Sequence, residues 1–174
     1  MATKKLTWVL FGILVISAWV LGSVIQAGAE TLNYKSYTYG IKAESIPVGD
    51  VEGHQLDFFV RGGFYVFENG EVATAKHVGT GEEVKGGGQI LYYGTVTFSD
   101  GSTIFSGTQG TFGGGVPGSP ATGGFKTEII KGTGRFEGIK GTASIKTKFI
   151  PAEKGEAGPK GVSEGTYNYT LPSK

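Results

Sequence analysis

Two histidines, a few carboxylates and a dense set of aromatics are the side chains of this 174-residue chain whose types and spacing suggest chemistry. His54 stands three residues before Asp57, a spacing able to offer two metal ligands. No third donor accompanies them at a convincing spacing, so no metal site is expected. His77 alternates with Ala73 and Ala75, small residues that leave space beside an imidazole. Both a ligand pocket and the tapered packing of a small barrel follow from that pattern. Glu44, Glu52 and Asp57 lie near the first two predicted strands and have groups suited to proton transfer, although solvated carboxylates are the plainer reading. Glu44 and His77 are the weak catalytic candidates. No serine sits in a Gly-x-Ser-x-Gly elbow, which removes support for a triad hydrolase.

The aromatics carry the remaining signal. Tyr34, Tyr37, Tyr39, Phe59, Tyr65, Tyr92, Tyr93, Phe105 and Phe112 are interleaved along β-like runs, so some must point inward. They fill a core or line a cavity for an apolar or aromatic ligand. On the second reading Tyr39, Tyr65, His77, Tyr93 and Phe105 are the expected ligand-binding residues. Two glycine patterns mimic nucleotide loops and fail. Gly132-x-Gly134-x-x-x-Gly138 has one residue too many for a dinucleotide fingerprint and no helix after it, and Gly138-Ile-Lys-Gly-Thr142 lacks lysine directly between glycine and threonine.

The elements that must position these groups are short strands. There are 32 glycines without a collagen period, and aromatic and β-branched runs space them, which reads as strands joined by tight turns. The first strand is expected over Leu32–Ile46, followed by Gln55–Arg61, a break at Gly62-Gly63, and Phe64–Phe67. Asn69-Gly70 signals a type I′ hairpin turn into Glu71–Val78. Gly79–Gly88 reads as a loop. Gln89–Phe98 and Ser102–Thr111 flank the turn Ser99-Asp100-Gly101. Gly113–Ala121 reads as a long exposed loop, and Thr122–Lys131, Ile139–Ile150 and Val162–Leu171 complete the set, with Pro151–Lys160 a mobile connection. No longer window shows a 3.6-residue apolar repeat. About eight strands with short turns predict an all-β fold, an antiparallel sheet closed into a barrel, because closure removes exposed edges.

Ahead of that barrel, Lys4 and Lys5 precede a nearly unbroken apolar run from Leu6 to Ile25, and Ala27-Gly28-Ala29 places small residues where a signal peptidase reads. Residues 1–29 therefore read as a signal peptide cleaved before Glu30, with an uncleaved membrane anchor over residues 6–25 as the rival. Either way the single domain spans 30–174 and sits outside the cytoplasm, secreted, periplasmic or tethered. Without Lys4 and Lys5, 14 basic residues face 15 acidic ones, a net charge of −1. That balance lacks the footprint of a nucleic-acid binder. The absence of cysteine excludes disulfides and thiolate metal sites.

The run Gly134-Arg-Phe-Glu-Gly-Ile-Lys-Gly141 resembles the Gly-x-Phe-x-Gly-x-x-Gly turn of the allene oxide cyclase and dirigent families, with the likeness best from about Tyr92 to Ile150. Phe136 and Ile139 are the large apolar groups available there to seal an end of the fold. The resemblance implies a calycin-like eight-stranded barrel, commonly trimeric, that steers reactive apolar intermediates without a cofactor. Where allene oxide cyclases carry Tyr-Glu-x-Asn on the first strand, this chain reads Tyr39-Gly-Ile-Lys42, so the catalytic carboxylate and amide are missing.

Three functions are expected in turn. The first is a barrel that binds a small apolar or aromatic molecule, either inert or steering a reactive intermediate. The second is a cofactor-free isomerase or cyclase of the allene oxide cyclase type using Tyr39, Glu44 or His77. The third is a structural envelope protein packed solid. A homo-oligomer, most simply a trimer, is also expected. The strands Gln89–Phe98 and Ser102–Phe112 carry apolar residues on both alternating sets: Ile90, Tyr92 and Val96 on one, Leu91 and Tyr93 on the other.

Overall fold

The computed structural model describes residues 28–114 and 120–173. Eight antiparallel strands follow one another: β1 (Glu30–Pro47), β2 (His54–Phe67), β3 (Val72–Val84), β4 (Gly87–Phe98), β5 (Thr103–Gly113), β6 (Ala121–Thr133), β7 (Lys140–Ile150) and β8 (Lys160–Thr170). Each pairs with its neighbours in sequence, and β1 also pairs with β8, so the sheet closes. This is the antiparallel barrel expected. One 3₁₀ turn, Gly134–Phe136, is the sole helical element among the described residues, where no helix is long and apolar enough to cross a membrane. The leader or anchor expected in residues 1–29 falls, up to residue 27, outside the described residues, as do residues 115–119 of the long β5–β6 loop.

Alternation builds the wall. Along β3, Ala73, Ala75 and His77 are buried while Val72, Thr74, Lys76 and Val78 are exposed, the period-two pattern of a strand with one face inside. The barrel departs from the sequence reading at glycines that read as punctuation along the chain. Gly62-Gly63 does not break a strand: β2 runs through it, and a Cβ on Gly63 would collide with the Tyr37 carbonyl of β1. Gly79–Gly88 is not a loop either. β3 continues to Val84 and β4 starts at Gly87, because a bare backbone at Gly88 lets the two strands approach where a Cβ would strike the Glu82 carbonyl.

The turns differ for the same reason. Lys85 and Gly86 both take positive φ, 51° and 82°, the conformation that a two-residue type I′ hairpin requires. At Asn69-Gly70 only Gly70 is left-handed. Its amide donates to the Phe67 carbonyl while the Phe67 amide donates to Glu71, so this is a longer turn closed by glycine. The Phe98–Ser102 turn repeats that arrangement.

The two ends of the barrel are unlike. The turns β2–β3, β4–β5 and β6–β7 share one end, which is sealed. Phe136 (4% exposed) and Ile139 (3%) fold inward from the glycine-rich β6–β7 turn. The Phe136 ring lies 4.8 Å from that of Phe98, which stacks at 5.1 Å on Phe67. Arg135 covers this plug, with its guanidinium 4.7 Å from the Phe98 ring and 4.9 Å from Phe136. It also pairs with Glu71 at 2.7 Å and Asp100 at 3.7 Å, tying the three turns together. Two pairs of inward hydroxyls bond across neighbouring strands, Thr108 with Thr127 and Thr147 with Ser163, each at 2.8 Å, whereas the buried Tyr34 hydroxyl has no partner among the described residues.

Candidate functional site

Away from the plug the barrel is hollow. A cavity of about 570 Å³ opens at the end where the β1–β2, β3–β4 and β7–β8 connections lie, within the range of small-molecule sites. Its walls are aromatic: Phe59 from β2, Tyr92 from β4, Phe112 from β5, Phe125 from β6 and Phe149 from β7. Edge-to-face pairs such as Tyr92–Phe125 at 6.4 Å and Phe125–Phe149 at 6.4 Å hold these rings in place. Gly81 and Gly86 on one side and Ala157–Pro159 on the other border the mouth.

The polar groups gather deeper. His77, 6% exposed, faces Arg61 across the β2–β3 ladder. Its Nε2 lies 3.4 Å from the Tyr65 hydroxyl, a long hydrogen bond whose direction depends on the tautomer, and its ring lies 4.9 Å from that of Tyr92. Burial, and then the Arg61 charge, lower the His77 pKa to about 4, so the imidazole is neutral at pH 7. Burial pushes the Tyr92 hydroxyl up to about 12 and the Tyr65 hydroxyl well above its ordinary value. Both are therefore neutral hydrogen-bonding groups. Tyr34, Tyr65 and Tyr167 pack as a ring cluster below, 4.7 Å and 5.1 Å apart between Tyr34 and the other two.

The expected site residues divide between the two faces of the wall. Tyr65 and His77 line the cavity. Tyr39 (54% exposed) and Tyr93 (62%) stand on the outer surface, and Phe105 lies under the Lys131 ammonium at 5.0 Å. Glu44 also faces out, 2.7 Å from Lys42. A bulge between Gly40 and Lys42 explains that position. Tyr34, Ser36, Thr38 and Gly40 point inward on even numbers, but past the bulge Ala43 and Ser45 do so, and Glu44 is turned to solvent. His54 stands near the mouth between Asp50 at 2.6 Å and Glu82 at 3.1 Å, an ion-pair bridge from the β1–β2 loop to β3 that raises its pKa.

Sequence reasoning missed Arg61, Phe125 and Phe149 as lining residues. The signal for Arg61 was present. It shares a face with Phe59 and Tyr65 once β2 runs unbroken through Gly62-Gly63, and the supposed break hid that.

No family model matches the chain, and no curated protein matches it. Solved structures similar to it include two pterocarpan synthase dirigent proteins. GePTS1 is 14% identical over 87% of this chain and 95% of its own, with a TM-score of 0.47. PsPTS1 is 16% identical over 86% and 100%, with a TM-score of 0.43. Both are dirigent proteins, one of the two families that the Gly134–Gly141 turn resembles. At these values the likeness adds nothing to what the barrel itself shows, and function rests on the cavity.

Proposed function

We propose that this barrel binds a small apolar or aromatic molecule in its open half, and that any chemistry is the steering of a reactive species held there. The observation that carries the reading is the hollow itself. Five aromatic side chains and a few polar groups enclose about 570 Å³, whereas a purely structural barrel would be packed through. A second reading, a cofactor-free isomerase, draws on the neutral His77 whose Nε2 lies 3.4 Å from the Tyr65 hydroxyl, two polar groups on the cavity wall.

Gly81 supplies the test. A Cβ there meets nothing closer than 3.5 Å, so Gly81→Phe fills the mouth without straining the sheet. Mass spectrometry of the native protein is expected to find a co-purifying aromatic or apolar molecule, and Gly81→Phe to lower its occupancy at least tenfold, a change of about 1.4 kcal/mol. No bound molecule, together with no uptake of added aromatic probes, would overturn the reading.

The outer surface supports the proposed homo-oligomer. Tyr37, Tyr39, Leu56, Phe58, Phe64, Leu91 and Tyr93 are all exposed on β1, β2 and β4, whereas β6 and β7 present Lys126, Glu128, Lys146 and Lys148. Exposed apolar side chains in this number are what a subunit interface buries. The expected occupants are further copies of this chain, as a trimer. Sedimentation equilibrium at tens of micromolar should give three times the chain mass, and Tyr93→Glu should shift it towards the monomer. A strictly monomeric wild type sinks the idea. The proposed setting is secreted or periplasmic, or membrane-tethered through residues 6–25.

A further inference from the structure

We infer that the cavity selects an organic anion with an aromatic body, and that Arg61 anchors the anionic head. This rests on the binding reading above and adds the charge of the ligand. Arg61 points inward from the middle of β2, between Phe59 and Tyr65 on the same face. One terminal nitrogen, Nη2, donates to the Thr38 hydroxyl at 3.2 Å and to the Pro159 carbonyl at 2.6 Å. Those two bonds pin the guanidinium between β1 and the start of β8, where Gly161 leaves it room. Among the described residues no partner is found for Nε or Nη1, and no carboxylate lies within ion-pair distance of the group.

Arg61 is half-buried in the cavity wall, and a cation so placed without a counter-charge is open to an anionic partner from the cavity. The nearby groups do not compensate it. His77, opposite in the ladder, is neutral, and so are the Tyr65 and Tyr92 hydroxyls. Asp57, on the same strand face, accepts a hydrogen bond from Ser45. Glu83 lies at the rim. The lysine at the border, Lys42, is paired with Glu44. Asp57 and Glu83 thus put negative charge among the lining residues, and Arg61, opposite His77 in the β2–β3 ladder, is the cation that has no carboxylate within ion-pair distance.

An incoming carboxylate or sulfonate would supply the missing partner, and charge-assisted bonds from arginine to such groups are among the stronger ones available. The rings of Phe59, Phe112, Phe125 and Phe149 would enclose the rest of the molecule. A neutral ligand of the same shape would leave Arg61 unpaired and buried, which sets the direction of selectivity.

Two fluorescent probes separate charge from shape. 1-Anilinonaphthalene-8-sulfonate carries one negative charge, and N-phenyl-1-naphthylamine has the same body without it. Titrated into the native protein at moderate salt, the sulfonate is expected to bind one per chain at least tenfold more tightly than the neutral amine. Gly81→Phe should abolish that stoichiometric site for both probes, distinguishing the cavity from the apolar outer face. Arg61→Gln should erase most of the preference by weakening the sulfonate alone, and Arg61→Lys should keep part of it. Equal binding of the two probes by the wild type overturns the inference without need of any variant, and leaves the binding reading standing. A preference that survives in folded Arg61→Gln does the same. Binding of neither probe, or binding untouched by Gly81→Phe, overturns the cavity reading itself and this inference with it.

Discussion

Replacing Phe136 by alanine is expected to destabilise the barrel by about 3–5 kcal/mol, the range for removing a large buried aromatic side chain. Phe136 is 4% exposed and is the stopper of the sealed end. Its loss opens a void against Phe98 and Gly132, and it removes one of the two rings over which Arg135 lies. The barrel wall is a continuous hydrogen-bonded ring and cannot close over the gap, so little of the cavity term is recovered. Urea denaturation checks this directly. A midpoint shift worth less than about 1 kcal/mol would mean that the plug is not a structural element.

The second large effect is a loss of stability in mild acid, traced to His77. In the unfolded chain its pKa is near the ordinary value of about 6.5, and in the barrel it is about 4. Between these values the unfolded chain holds the proton and the native barrel does not, so stability rises with pH across that window and is lost as pH falls through it. Above about 6.5 this group contributes no pH dependence. A depression of this size is worth on the order of 3 kcal/mol. Its cause is burial first, and then the Arg61 charge, while the facing Tyr65 and Tyr92 hydroxyls stay neutral throughout.

The comparison that isolates His77 is the difference in unfolding free energy between pH 7 and pH 4.5 for wild type and for His77→Gln. The variant should lose markedly less on acidification. His54 works in the opposite sense: its pKa is raised, so its ion pairs with Asp50 and Glu82 are fully present below the unfolded value and are lost as pH rises. That contribution, like those of the surface carboxylates, is common to both proteins and cancels. Equal acid sensitivity in the two proteins would mean that His77 is solvated or already charged.

Much of the architecture was legible in local residue order because its causes are local. Period-two runs such as Val72–Val78 declare a strand with one buried face. Asn69-Gly70 and Asp100-Gly101 mark hairpins because only a residue without a Cβ takes the left-handed position cheaply there, even though the turn at Asn69 is not the type its dipeptide suggests. Phe136 and Ile139 stood out as plug residues since nothing else apolar interrupts their turn. His77 and Tyr65 were recognisable as inward candidates from the small residues beside one and the aromatic spacing around the other.

What remained hidden depends on neighbours in space. Whether a glycine ends a strand or sits inside one depends on the strand opposite: Gly63 lies against the Tyr37 carbonyl and Gly88 against that of Glu82, contacts invisible to a reading along one segment. A single bulge at Gly40–Lys42 reverses the inward parity of β1, and that reversal, not residue type, puts Glu44 in solvent. Tyr39, Tyr93 and Phe105 were indistinguishable from inward aromatics because both faces of these strands carry apolar side chains. Arg61 reads as a surface charge until β2 is seen to run unbroken and to place it opposite His77. Residue order by itself determined that the chain forms a closed antiparallel barrel with a sealed turn. Only the tertiary structure decided which side chains face the hollow, because strand parity, bulges and close backbone contacts are set by register between segments distant in the chain.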